Sequence, residues 1–159
     1  MSLHDRVKSD IAVAMRGGDS LRRDVLRMVV SAAYSVEKKQ GRSLTDDEYL
    51  GVLSREVKTR RESVEAFRAG GREELAAKEE AEIAIIAEYL PAALTDDEID
   101  ALVREGISAT GATSARDMGK VMGWLSPRTR GRADGKRVSE LVVQALVATD
   151  LAAHDVGTH

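Results

Sequence analysis

Apolar residues recur every three or four positions along most of the chain, and the breaks fall on glycine, proline or short polar clusters. That spacing predicts seven helices. Val7, Ile11 and Ala14 share a face of the first, which Ser2 and Asp5 open and Gly17-Gly18 close. Asp19 opens a second carrying Leu21, Val25, Met28, Val29, Ala32, Ala33 and Val36. Gly41 then stands where a left-handed C-cap favours glycine. Thr45-Asp46-Asp47-Glu48 has the form of a capping box, in which a threonine oxygen and a glutamate satisfy orphan amides reciprocally. The helix behind it bears Tyr49, Leu50, Leu53, Val57, Val64 and Phe67, and Gly70-Gly71 breaks it. Residues 73–90 form a fourth with Leu75, Ile83, Ile86, Tyr89 and Leu90, ended by Pro91 because the residue before proline is pushed out of helical geometry.

The pentapeptide at 44–48 returns at 94–98, but its flanks do not, so it is one helix-start chemistry used twice. Ile99, Leu102, Val103 and Ile107 follow it as far as Gly111. Ser114 opens a short sixth helix with Met118, Val121, Met122 and Leu125, and Ser126-Pro127 starts a loop. Asp134 caps a last helix bearing Val138, Leu141, Val142, Ala145 and Leu146. No segment alternates with period two. The expectation is therefore an all-α fold: a helical N-terminal domain over 1–91, a compact three-helix domain over 92–149, and a disordered tail over 150–159. A three-helix unit of that size is marginal alone, since small domains bury less of their surface.

Composition narrows the chemistry. Aromatics are 3% of 159 residues and cysteine is absent, which removes disulfides, thiolate nucleophiles and Cys-based metal sites. The three histidines, His4, His154 and His159, lie near the ends, so neither a Ser–His–Asp nor a Cys–His arrangement is plausible. A zinc site from His154, His159 and carboxylates would be a weak one, and no metal, cofactor or catalytic residue is assigned. Met15, Met28, Met118 and Met122 read as core filler. Trp124 either closes the small core, as buried tryptophans often do, or stacks on a base. No run approaches the roughly 20 apolar residues of a membrane span, and the N-terminus lacks a signal-peptide h-region. A cytoplasmic location without membrane contact is the expectation.

The net charge of −3 hides strong local imbalance. Residues 73–100 hold ten acids against Lys78 alone, which reads as a solvated helix face with favourable first-turn carboxylates. Residues 116–137 hold seven bases against Asp117 and Asp134. Within them the loop 127–137 is either a hydrated connector or an anion site built from arginine forks, backbone amides and a helix N-terminus. Its Gly131–Lys136 stretch is no P-loop: three residues separate the glycines where four are needed, and no Ser or Thr follows the lysine. A second basic run at 55–61 alternates with Glu56 and Glu62, as intrahelical pairs do.

Five stretches together carry a resemblance: Leu26-Arg27-Met28, Glu56 through Ser63, Glu88-Tyr89-Leu90-Pro91, Asp117 through Met122, and Gly131 through Lys136. Over about residues 1–148 the chain resembles stand-alone GatB/YqeY-type proteins, relatives of the tail domain of the B subunit of the glutamine-dependent aspartyl/glutamyl-tRNA amidotransferase. The resemblance implies an all-α fold and a tRNA-binding role, since that tail helps hold tRNA at its elbow. The transamidation and glutaminase chemistry lies in parts with no counterpart here, so a non-catalytic tRNA-binding accessory protein is the expectation. A module docking on an amidotransferase or an aminoacyl-tRNA synthetase is the alternative, and carbon–nitrogen ligase activity with glutamine as amido donor the least favoured. Carried over residue by residue, the RNA-facing positions are Gly119, Lys120, Gly131, Arg132, Gly135 and Lys136. Charge alone adds Arg128 and Arg130. Lys58, Arg60 and Arg61 form a secondary basic surface for RNA or for contact within the chain, and no DNA specificity is expected.

Overall fold

The computed structural model describes residues 1–157 and contains α-helices and one 3-10 turn, with no strand among the described residues. The chain divides after Pro91 into two compact units. The first holds α1 (Leu3–Gly17), α2 (Ser20–Gln40), α3 (Asp46–Ala69) and α4 (Glu73–Ala87). The second holds α5 (Asp96–Thr110), the 3-10 turn (Ala115–Asp117), α6 (Met118–Thr129) and α7 (Gly135–Gly157).

The helix ends follow the local chemistry. Ser2 accepts from the Asp5 N–H, and Asp19 accepts from the Arg22 N–H. Both threonine boxes close: Thr45 with Glu48 and Thr95 with Glu98 each exchange the reciprocal pair of bonds. Gly18, Gly41 and Gly111 adopt φ of 73°, 73° and 70°, where a Cβ would be strained. The end of α4 comes earlier than its apolar spacing predicts. From Glu88 to Leu90 the bonds shorten to a three-residue reach, such as Tyr89 N–H to the Ile86 carbonyl at 3.0 Å, which winds the chain down ahead of Pro91.

Each unit has its own core. Val7 of α1, Val25, Leu26, Val29 and Ala33 of α2, Tyr49 and Leu53 of α3 and Ile86 of α4 are at most 1% exposed in the first. Full burial of each large side chain is worth about 1.5–3 kcal/mol. In the second, Val103 of α5, Val121 and Leu125 of α6, and Val138, Val142 and Leu146 of α7 meet. Gly106 of α5 is buried beneath Trp124, and a Cβ there would stand 2.9 Å from the indole Cε3. The glycine is what lets the ring seat against the α5 backbone, so Trp124 closes the small core.

Met15 and Met28 are 53% and 51% exposed and do not fill the core, and two further expectations fail locally. Pro127 does not start a loop; α6 continues through it to Thr129. Proline removes a donor to the carbonyl one turn back, which belongs to Gly123. Gly123 and Pro127 both face solvent, so water can take that carbonyl, while Arg130 N–H, 3.1 Å from the Ser126 carbonyl, completes the turn. The tail is the second. The last helix runs on past residue 149 to Gly157, through Leu151, Ala152 and Ala153, which form helices readily. Asp150 and His154 face each other one turn apart, and Leu151 is 62% exposed. Leu151, Ala152, Ala153 and His154 are all exposed, so they show no buried face and no periodic signal.

Candidate nucleic-acid interface

The basic run on α3 does not form one surface. Arg60 is 4% exposed, its Nη1 lies 2.7 Å from the Glu56 carboxylate and its Nε lies 3.5 Å from the Glu82 carboxylate of α4. Nη1 also donates to the Glu56 carbonyl, and Nη2 approaches the Met28 sulfur of α2 at 3.7 Å. Arg60 thus ties three helices of the first unit together and is unavailable to RNA. Burial, with Glu82 as a like charge beside it, pushes the Glu79 carboxyl upward. Lys58 and Arg61 stay exposed on the outer side of α3.

The other motifs of the first unit are internal too. Arg22 holds Glu88 through two nitrogens, which keeps that carboxyl below the usual range. Tyr89 donates its hydroxyl to Asp10 and lies beneath the Arg6 guanidinium, 4.7 Å from the ring centre. Leu26 is fully buried, and Arg27 Nη2 lies 3.4 Å from the Met15 sulfur. Nor is the acidic stretch simply a solvated face: Arg68 pairs with Glu73 and Glu80, Arg60 with Glu82, Arg22 with Glu88, and Glu98 completes its capping box.

In the second unit the basic residues are arranged along α6 and the turn after it. Gly119 and Lys120 lie in the first turn of α6, and Lys120 Nζ stands 3.8 Å from Asp117 with 70% of its side chain exposed. The Asp117 carboxylate accepts from the Thr113 N–H at 2.9 Å, which holds its carboxyl below the usual range. Arg128 lies two turns further on, its guanidinium 3.7 Å from the centre of the Trp124 ring and bonded through Nη1 to the Trp124 carbonyl. Lys120, Trp124 and Arg128 thus form a row at i, i+4 and i+8. Arg130 follows, exposed, and like Arg116 and Lys136 it makes no ion pair among the described residues.

The loop itself is shorter than its sequence suggests, from Arg130 to Asp134, and it is braced. The Arg132 carbonyl accepts from the Leu94 N–H at 2.7 Å, and its Nε donates to the Ala92 carbonyl at 3.3 Å. Arg132 is a half-buried tie first, with only the rest of its guanidinium left to face outward. Gly131 takes φ of 74° to make the turn. The start of α7 is already occupied by a carboxylate: Asp134 Oδ1 accepts from the Lys136 N–H at 3.2 Å. An anion drawn to that helix end would meet Asp134 in its place, so the loop is not a preformed phosphate cradle. Gly119 and Gly135 differ from Gly131. Neither has positive φ, and a Cβ on either would meet nothing within 4 Å. No turn or packing inside the chain calls for glycine at these two exposed places.

The predicted residues therefore do not converge on one point. Lys120 and Arg130 stand ten residues apart along α6, about 15 Å along the axis at helical rise. No single phosphate reaches both. Among the described residues no cluster of three or more His, Asp or Glu side chains could hold a metal ion, and His159 lies outside those residues.

Comparison with known proteins adds the family. The model of the family described as Yqey-like protein matches residues 4–146. A protein named "Altered inheritance of mitochondria protein 41, mitochondrial" from Pyrenophora tritici-repentis is 27% identical over 146 residues, covering 90% of this chain and 80% of the relative. Its namesake from Lachancea thermotolerans is 29% identical, covering 87% and 78%. A Saccharomyces cerevisiae protein of the same name is 28% identical over 95 residues, or 59% and 51%. These names overturn the expectation of a cytoplasmic location. That expectation leaned on absent cysteine and an absent apolar run, which constrain chemistry and carry no address.

Proposed function

The chain belongs to the Yqey-like family, and from that premise we propose that it is a tRNA-binding accessory protein, non-catalytic by itself. The backbone of the RNA lies along α6 of the second unit. The supporting observation is the cation row itself: Lys120, Arg128 and Arg130 follow one helix and the turn after it, with Lys136 beyond. Each of these four cations can neutralise one phosphate, so about four phosphates are engaged. Contacts of this kind position an RNA without reading its sequence. The exposed backbone at Gly119 and Gly135 leaves room for close approach.

A module that docks on an amidotransferase or an aminoacyl-tRNA synthetase through the acidic stretch is the weaker reading. Arginines of its own unit already take up Glu73, Glu80, Glu82 and Glu88. The test is a salt titration of binding to total tRNA, beside the Lys120→Glu/Lys136→Glu variant. With about four phosphates neutralised, log affinity falls with log salt at a slope near about −3 to −4, and the variant flattens it by about 2. Tight binding that ignores both salt and the variant would sink the proposal.

A further inference from the structure

An RNA-binding surface declares the form of RNA it takes by whether it offers platforms for bases. Single strands are held by unstacked bases lying on aromatic rings or guanidinium planes, while double-helical RNA is held by phosphate and sugar contacts and by shape. Trp124 is the one Trp, Tyr or Phe of the second unit, since Phe67 and all three tyrosines lie before Pro91, and His154 lies not on α6 but on α7 beside Asp150. That ring is spoken for on two sides. Its edge rests on the Gly106 backbone, where even a Cβ would come within 2.9 Å, and the Arg128 guanidinium stands over its face at 3.7 Å. Arg128 is in turn fixed by its bond to the Trp124 carbonyl. Arg128 is one pinned plane, and no ring backs the exposed guanidinium groups of Arg116 and Arg130, so the surface is not a track of fixed successive platforms.

We propose that the α6 row takes double-helical RNA, along the phosphates of a stem, and that Trp124 is a positioning residue that orients Arg128 toward a phosphate. This rests on the RNA-binding reading above. Stacking against the indole holds the planar fork of Arg128 in one orientation, so that forked donors face the ligand without further loss of side-chain freedom. Lysine would keep the charge and lose that orientation.

The experiment uses the full chain with three probes: an RNA duplex of about 12 base pairs, an unstructured single strand of the same length, and total tRNA. Binding is read by gel shift and by the emission of Trp124, the sole tryptophan. The duplex should bind within about threefold of total tRNA and with the same salt slope, and the single strand at least about tenfold more weakly. A single strand that binds as tightly as the duplex overturns the inference. So does binding of total tRNA with none of the duplex, which would point to recognition of tertiary shape. If no RNA binds even at low salt, the proposed function itself fails, an outcome distinct from both. For the positioning role, Arg128→Lys should lower duplex affinity severalfold while the salt slope stays constant, because the charge count is kept. Wild-type affinity in that variant would overturn the role of Trp124.

Discussion

In the first unit a guanidinium is taken out of water: Arg60 sits at 4% exposure between Glu56 and Glu82 and spans three helices. In the second, the guanidinium of Arg128 lies outside the core, spread over the face of the one indole. The same contrast runs through the residues that carry the family resemblance. Glu88, Tyr89, Arg60 and Met28 find their partners inside the first unit. Gly119, Lys120, Gly135 and Lys136 find almost none inside the second. A distinctive motif can thus hold a polar group that must be paired because it is buried, or a group that the fold leaves exposed.

The chain carries its own probes for testing this, because every tyrosine lies in the first unit and the sole tryptophan in the second. Arg60→Met should cost the first unit about 3–5 kcal/mol, since Glu82, its side chain 12% exposed, loses its partner. Denaturation followed by tyrosine absorbance should show the loss while the Trp124 transition stays in place; equal movement of both would break the comparison. Gly106→Val should do the converse, destabilising the second unit by about 1–3 kcal/mol through the clash with Trp124. There the emission of Trp124 moves and the tyrosine signal does not.

Alkali sharpens the contrast. Burial, with Glu37 adding, pushes the Tyr49 hydroxyl up to about 12, and burial with the Asp10 contact raises Tyr89 as well. Unfolded tyrosine titrates near about 10. The folded first unit holds these protons more tightly than its unfolded chain, so its stability is intact below about pH 10 and falls as pH rises toward the folded values. The second unit has no tyrosine and should lack this component. Thr45→Ala and Thr95→Ala break the same box once in each unit and should each cost about 1 kcal/mol. The smallest effect on folding belongs to Lys120→Glu/Lys136→Glu, within about 0.5 kcal/mol by thermal unfolding, although it should flatten the salt slope of RNA binding.

Much of the secondary structure was legible because its signals are local. A capping box needs four consecutive residues, and Thr45–Glu48 and Thr95–Glu98 both close as their spacing predicts. A left-handed C-cap needs one glycine, as at Gly18, Gly41 and Gly111. Pro127 is tolerated inside α6 because it lies on the exposed side of the helix, which its local sequence does not encode. Beyond residue 149 the helix is exposed over 151–154, and an exposed stretch leaves no period. In the candidate interface, charge located the residues but not their availability. Arg60, Arg61 and Lys58 look alike in a list of bases, and only the approach of Glu82 from α4 removes Arg60 from the surface. Arg132 and Lys136 look equally free until the 92–94 segment bonds to the first, while Asp134 takes only the backbone amide of the second and its side chain stays exposed.

The sequence by itself determined that this chain is helical, where most of its helices begin and end, and that thiol and histidine-centred chemistry is absent from its middle. Those properties rest on residue identity and on spacing within a few positions. Tertiary structure alone decided which charges are consumed and which stay exposed, because an ion pair depends on what a distant helix brings within about 4 Å, and no local pattern encodes that distance.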